Sequence, residues 1–391
     1  MSRHRTVLSA YVVLGAYAVW AQATLLREMH VLVFGSELSW GLVLAFWLAG
    51  VAAGAMAAGR LIDRSGRPWL VFAVAGLAMP PALLGEVVLL RVARSLVDVG
   101  PGEYVGPGMT VLLAAIATVP VSVWVGLAFP AASALIARGP DPSHEKARAV
   151  GWVYLAESAG ALVGGAAFSF LLVGRVGAVP LALGGGAVLA LFIQLLVVHD
   201  AGSGWARFIP LGLAVTMGIL ITEGVARRLD EASVRWRWAS FAETLELVQS
   251  RDTRYQNAAL GRLGEQFSLY ANGLVDATWP NHADLAIDAH LAACQHPAPK
   301  QILVLGGGAE GMLKELACHE PDRLDYVTLD RALLAMVREH LDAPDRNALD
   351  ALDGMGQVHF ADARRFVKRA AARGQRYDLV ILAAPEPAST L

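Results

Sequence analysis

Three consecutive glycines, Gly306, Gly307 and Gly308, follow a short apolar run at 302–305 and precede a helix-like run at 312–318. Glycine has no Cβ, so its backbone can pass close to a ribose or a phosphate. A helix starting just beyond turns free N–H groups and the positive end of its dipole towards the same place. Glu310 adds a carboxylate to the turn itself. Two further acids fall at corresponding places downstream. Asp330 ends the next strand-like run, where a carboxylate can accept hydrogen bonds from ribose hydroxyls. Asp362 follows the third such run, placed to bond an adenine amine. A glycine turn with acids after the next two strands points to a nucleoside such as an S-adenosyl compound. The glycine spacing is not G-x-G-x-x-G, which argues against a dinucleotide.

These residues meet only if a parallel sheet brings them together. Strand-like runs at 302–305, 324–329, 357–360 and 377–382 alternate with helix-like runs at 312–318, 333–341 and 363–373. This alternation predicts an α/β Rossmann-like domain of the AdoMet-methyltransferase type, with helices on both faces of the sheet and ligands at the carboxyl ends of its strands. Ahead of it, 243–250, 255–262, 266–271 and 274–278 read as short strands, and Asn272 with Gly273 is a hairpin signal. A helix is expected at 284–294. The domains expected are therefore a small β-hairpin subdomain at 242–280 and a Rossmann-like domain at 281–391.

The remainder has a different composition. The 391 residues are 55% hydrophobic and 17% charged, with mean hydropathy +0.48, but residues 6–226 hold few of the charges. Apolar segments near 6–26, 39–61, 69–90, 109–136, 152–172, 176–198 and 208–226 are long enough to span a bilayer, which predicts an α-helical transmembrane bundle of about seven helices at 1–226. Residues 227–241 read as a linker. No cleavage site with polar sequence behind it follows the first apolar run, which is read as a retained membrane helix. Small residues four apart, Gly50 with Gly54 and Gly160 with Gly164, would let helices approach closely. Loop arginines and lysines favour a cytoplasmic N-terminus in the cell (inner) membrane. Seven spans would put the soluble domain outside, whereas Arg227, Arg228, Arg235 and Arg237 favour inside, so its side stays open.

Within the apolar segments Glu86 and Glu157 are the main ionisable residues. A carboxylate in that setting is a candidate for proton or substrate handling, and equally a hydrogen-bonded packing residue. Arg27 and Glu28, where the first helix ends, read as interfacial. Cys294 and Cys318 lack CxxC spacing, so neither a disulfide framework nor a metal site is expected. A net charge of −2 and no basic run give no sign of nucleic-acid binding. The partners expected are the lipid bilayer and a small nucleoside or polyamine ligand, with a homodimer or a membrane complex left open.

The segment 59–67, GRLIDRSGR, resembles the loop between the second and third helices of major facilitator transporters, which implies helices like one half of that fold. From about Leu245 onward the sequence resembles the spermidine synthase (polyamine aminopropyltransferase) family, especially its membrane-fused members. Tyr255 and Gln256 match the family's Y-Q pair, and Ala271, Asn272 and Gly273 its L-D-G. GGGAEG at 306–311 matches G-G-G-D-G-G, VTLD at 327–330 matches V-E-I-D, and ADA at 361–363 matches G-D-G/A. YDLVILAAPEP at 377–387 matches Y-D-V-I-x-x-D-x-x-D-P. The resemblance implies aminopropyl transfer from decarboxylated S-adenosylmethionine to an amine, with no tightly bound cofactor.

The departures fall on the chemistry. Ala383 stands where the family's amine-deprotonating Asp is implied, Ala309 where its glycine-loop Asp is, and Thr328 where its ribose-binding Glu is. The Tyr-His-Glu segment has no clear match in 281–290. Glu386 keeps one acid in the last motif and is the catalytic candidate. The family's sheet continues beyond that motif while this sequence stops at Leu391, which reads as a fragment or a shortened domain. Three readings stay open. They are a membrane-anchored aminopropyltransferase-like enzyme, a non-catalytic nucleoside- or polyamine-binding or scaffold subunit, and a transporter with a regulatory soluble domain.

Overall fold

The computed structural model describes residues 3–137, 142–200 and 204–383, in two units divided between Phe241 and Ala242. The N-terminal unit is helical throughout. It contains α1 (Arg3–Leu32), α2 (Leu38–Ser65), α3 (Pro68–Leu96), α4 (Pro107–Ile116), α5 (Val119–Ile136), α6 (Pro142–Ala167), α7 (Ala178–Asp200), α8 (Ile209–Thr222) and α9 (Val225–Phe241). Among the described residues, seven helical segments are long and apolar enough to cross a membrane, with α4 and α5 together making one of them. The run at 109–136, expected as one helix, breaks at Ala117 and Thr118. Pro120 has no N–H and cannot continue the hydrogen-bond ladder of α4.

Small residues set the helix contacts. A Cβ on Gly54 would meet the Val123 carbonyl of α5, and one on Gly160 would meet the Val12 carbonyl of α1. Both glycines therefore bring backbones together where any side chain would hold them apart. Glu86 has a structural task. Its Oε1 accepts the Val121 N–H at 2.8 Å, one of the amides left free where α5 begins. Glu157 is half-buried, and its backbone carbonyl lies against Gly15 of α1.

Residues 227–241, expected as a linker, form most of helix α9. The reason is a buried charge network. Arg91 of α3 places Nη2 2.6 Å from Glu28 Oε1 and Nη1 2.8 Å from Asp230 Oδ1. Arg237 of α9 places Nη1 2.7 Å from Glu28 Oε2, and Asp230 Oδ1 also accepts the Val179 N–H at 3.1 Å. Glu28 is thus buried and paired rather than interfacial, and Arg237 is a buried ion-pair partner rather than a loop charge. Two cations and two anions balance, which burial of any one of them alone would not allow.

The C-terminal unit opens with an antiparallel sheet in the order β1 (Glu246–Asp252), β2 (Asn257–Leu263), β3 (Gln266–Ala271), β4 (Leu274–Trp279). Asn272 and Gly273 turn β3 into β4 with φ of 47° and 86°, the paired positive values of a tight hairpin. Then come α10 (His282–Ala293), β5 (Gln301–Gly306), α11 (Met312–Ala317), β6 (Arg323–Thr328), α12 (Arg331–His340), α13 (Ala343–Met355), β7 (Val358–Phe360), α14 (Ala363–Ala372) and β8 (Leu379–Ala383). The second sheet is parallel in the order β7-β6-β5-β8. Its connections leave β5 in opposite directions, so the crevice opens beyond the end of β5 at the glycine turn. Helix α13 was not expected. Asp342 caps it by accepting the Asp345 N–H at 3.0 Å, and Ala343–Pro344 starts it.

Two motif residues hold the parallel sheet together. Tyr377 donates its hydroxyl to Asp325 Oδ2 at 2.6 Å, and Arg323 Nε lies 2.8 Å from the same atom, which is fully buried in β6. Asp378 Oδ2 accepts the Lys300 and Gln301 N–H groups at 2.9 and 2.8 Å, which holds its carboxyl below the usual range.

Candidate functional site

A cavity of about 280 Å³ opens at the end of β5, within the C-terminal unit. Its lining draws on both sheets. The glycine turn contributes Gly306, Gly307, Ala309 and Glu310, β6 and the residues after it contribute Tyr326, Thr328 and Asp330, and the antiparallel sheet contributes Asp276 with the nearby Tyr255 and Gln256. Six of the eight ligand-binding candidates in the sequence therefore converge. Gly308 and Asp362 are not in the lining.

Each position has a local cause. Gly306 and Gly308 have φ near 100°, a conformation that L side chains rarely adopt. A Cβ on Gly307 would lie 2.6 Å from the Ala383 carbonyl, so only glycine lets the turn pack against the end of β8. Gly308 faces inward instead. Its N–H is shared by the two oxygens of Glu310 at 3.2 and 3.1 Å, which folds the Glu310 side chain back over the turn. Thr253 shapes the opposite wall. Its Oγ1 accepts the N–H groups of Tyr255 and Gln256, both at 3.1 Å, and fixes the loop that carries them.

Asp330 is the N-cap of α12. Its Oδ1 accepts the Ala332 and Leu333 N–H groups at 3.0 and 3.2 Å, while its Oδ2 is buried without a hydrogen-bond partner. The carboxylate is thus fixed on one side and has an unused acceptor on the other, which suits a ligand hydroxyl. Asp362 is an N-cap too, accepting the Arg365 N–H at 2.9 Å, but it is exposed at the start of α14. Helix capping, rather than adenine recognition, is the task its geometry displays.

The cavity is acidic. Asp276, Glu310 and Asp330 line it, and no lysine, arginine or histidine does so among the described residues. Burial raises the carboxyl of Asp276 above its ordinary range. Burial also raises Glu310, and the charges of Asp276 and Asp345 add to it against the two backbone N–H groups that favour its ionised form. The Tyr326 hydroxyl is pushed up by burial and then by Glu310. Crowded acids without a counter-ion favour a cation as the missing partner.

Asp276 was missed in the sequence. The signal available was its place three residues beyond Gly273, on the strand that the hairpin sends back towards the glycine turn. Ala383 does line the cavity, where it offers no proton acceptor. Glu386 lies outside the described residues. Glu86 and Glu157 belong to the N-terminal unit and have no part in this cavity. A further cluster was not expected. Ligand atoms of His282, Asp342 and Asp345 lie within 4.8 Å of one another. The Lys314 ammonium stands 3.5 Å from Asp345 Oδ1 and 3.4 Å from His282 Nδ1, so a cation is already supplied there by the chain.

Among the described residues, a parallel-sheet α/β domain with a cavity at the end of β5 follows seven long apolar helices in the chain. Residues 286–391 match the family described as the spermine/spermidine synthase domain. Polyamine aminopropyltransferase 1 of Hyperthermus butylicus is 30% identical over 122 residues, covering 31% of this chain and 41% of that protein. Polyamine aminopropyltransferase 1 of Streptomyces coelicolor is 26% identical over 406 residues, covering 99% of this chain and 71% of that protein. A polyamine aminopropyltransferase of Mycobacterium tuberculosis is 26% identical over 394 residues, covering 96% of this chain and 71% of that protein. The first two curated relatives are spanned over less than half their length, at 41% and 34%. Among solved structures, spermidine synthase in complex with the transition-state analogue AdoDATO is 17% identical with a TM-score of 0.31, over 36% of this chain and 47% of that one. The match at 286–391 and the polyamine aminopropyltransferase relatives make the C-terminal unit similar to the spermine/spermidine synthase domain.

Proposed function

We propose that this chain is a membrane-anchored, spermidine synthase-like protein whose cavity takes decarboxylated S-adenosylmethionine, or a related S-adenosyl cation, and directs its aminopropyl group to an amine. The observation that carries this reading is the cavity at the end of β5, lined by three carboxylates and no basic side chain among the described residues. A sulfonium and a primary ammonium on one ligand complement it. The names of the relatives support the same ligand class. Anchoring rests on the seven apolar helices.

In this reading the glycine turn lets the nucleoside approach the backbone. Asp330 Oδ2 accepts from the ribose, and Asp276 with Glu310 holds the cationic arm. Transfer itself is an amine nitrogen attacking the methylene beside the sulfonium. The new C–N bond forms as the C–S bond breaks, methylthioadenosine leaves, and the amine loses a proton. Proximity and orientation supply much of the rate.

Ala383 favours a second reading. Among the described residues the end of β8 offers Ala383 and no base, and in this reading the domain binds the S-adenosyl ligand without turnover, as a sensor or scaffold. One experiment separates the two. Incubation of the detergent-purified chain with decarboxylated S-adenosylmethionine and putrescine gives methylthioadenosine and spermidine if transfer occurs, and loss of that product in Glu386→Gln would assign the base. Binding without product supports the second reading, and no binding rejects both.

A further inference from the structure

We propose that the exposed face of α14 docks on an anionic lipid surface. Between 364 and 376 the sequence RRFVKRAAARGQR carries six basic residues and no acidic one. The helix sorts them. Ala363 and Phe366 pack on the sheet against Leu303, Leu305 and Val327, and Ala370 is buried. Arg364, Arg365, Lys368 and Arg369 fall on the other side and are exposed, as are Arg373 and Arg376 just beyond the helix. One face is thus apolar and covered, and the other is uniformly cationic.

None of these six side chains pairs with a carboxylate among the described residues. The same unit does pair exposed arginines elsewhere, Arg262 with Glu246 and Arg338 with Asp350, at 2.7 and 2.8 Å. The two acids that flank this stretch in the chain are engaged. Asp362 caps the helix, and Asp378 holds two backbone N–H groups. A chain with net charge −2 therefore concentrates unpaired positive charge on one short helix.

The remaining question is the source of the opposing negative charge. Seven helices of this chain are long and apolar enough to cross a bilayer. A domain tethered to them meets headgroups at high effective concentration, which a free nucleic acid does not share. Clustered lysines and arginines beside membrane segments bind anionic lipid additively and through a salt-sensitive field. Val367, exposed beside the cationic face, gives the contact an apolar edge. Anionic headgroups are thus the partner the charge and the architecture favour.

Amide hydrogen exchange of the full chain in nanodiscs tests this. Discs of phosphatidylcholine alone are compared with discs holding a third phosphatidylglycerol, at low and high salt. Exchange of the α14 amides slows at least threefold in the anionic discs at low salt, with α12 amides unchanged as the folding control, and the difference disappears at high salt. The variant carrying Arg364→Gln, Arg365→Gln, Lys368→Gln and Arg369→Gln loses the slowing in the same discs. Equal exchange of native α14 in the two lipids overturns the proposal. So does slowing in phosphatidylcholine discs on adding an RNA oligonucleotide that exceeds the slowing by anionic lipid.

Discussion

Asp276 of β4 and Glu310 of the glycine turn come from different sheets and line one cavity. Burial raises both carboxyls, and the charge of Asp276 raises Glu310 further. Two acids held in this way are costly unless a cation joins them. Both sheets of the C-terminal unit thus contribute an acid to the one cavity.

The pair makes binding pH-dependent. Ordinary values of 3.8 for Asp276 and 4.5 for Glu310 are both raised in the folded protein. Stability from these groups is present below the ordinary values and lost as pH rises through the raised ones. A bound cation favours the ionised forms, so affinity for decarboxylated S-adenosylmethionine rises over the same interval and binding releases protons. Calorimetry in buffers of different ionisation enthalpy measures the release. Neutral methylthioadenosine is expected to show none.

Asp330 separates capping from binding. Asn caps a helix as well as Asp, so Asp330→Asn keeps the amides of Ala332 and Leu333 satisfied. The carboxylate facing the cavity is lost, at about 1.5–3 kcal/mol for a charged hydrogen bond, or about 10- to 150-fold in affinity. The expected outcome is an unchanged melting temperature with weakened nucleoside binding. A matched fall in both would make Asp330 purely structural.

Arg91 is expected to be essential to the helical unit. Arg91→Met leaves Asp230 without its arginine and Glu28 with Arg237 alone. Removing one partner from a buried network costs about 3–5 kcal/mol. Thermal unfolding in detergent should show a large loss. Arg227→Met, which breaks only an exposed pair with Glu231, should show almost none.

Tyr377 is predicted to matter for folding rather than ligand. Tyr377→Phe removes a 2.6 Å hydrogen bond to the buried Asp325, at about 1.5–3 kcal/mol. Denaturant unfolding should register the loss while nucleoside affinity stays the same.

Much of the site was legible because glycine turns and strand-end acids are local signals. Gly306, Gly307, Glu310, Asp330, Tyr255 and Gln256 need only the order of strands to be brought together. Asp276 was not legible, since its role depends on the folding of one sheet against the end of another. Asp362 lies outside the cavity lining and caps α14, a task that an acid after a strand serves as readily as binding. The linker reading of 227–241 failed for a similar reason. The charges that suggest solvent, Asp230 and Arg237, are matched by Glu28 and Arg91 nearly 140 or more residues away in the chain. The basic face of α14 escaped notice because its residues are spread at helical spacing rather than in one run.

The most direct test is calorimetric titration of the detergent-purified native chain with decarboxylated S-adenosylmethionine and, separately, with methylthioadenosine at neutral pH. Saturable binding of both, with the cation tighter by tenfold or more, is the predicted result. Absence of binding by either ligand would contradict the assignment of the cavity, and equal affinity for the two would contradict the part given to Asp276 and Glu310.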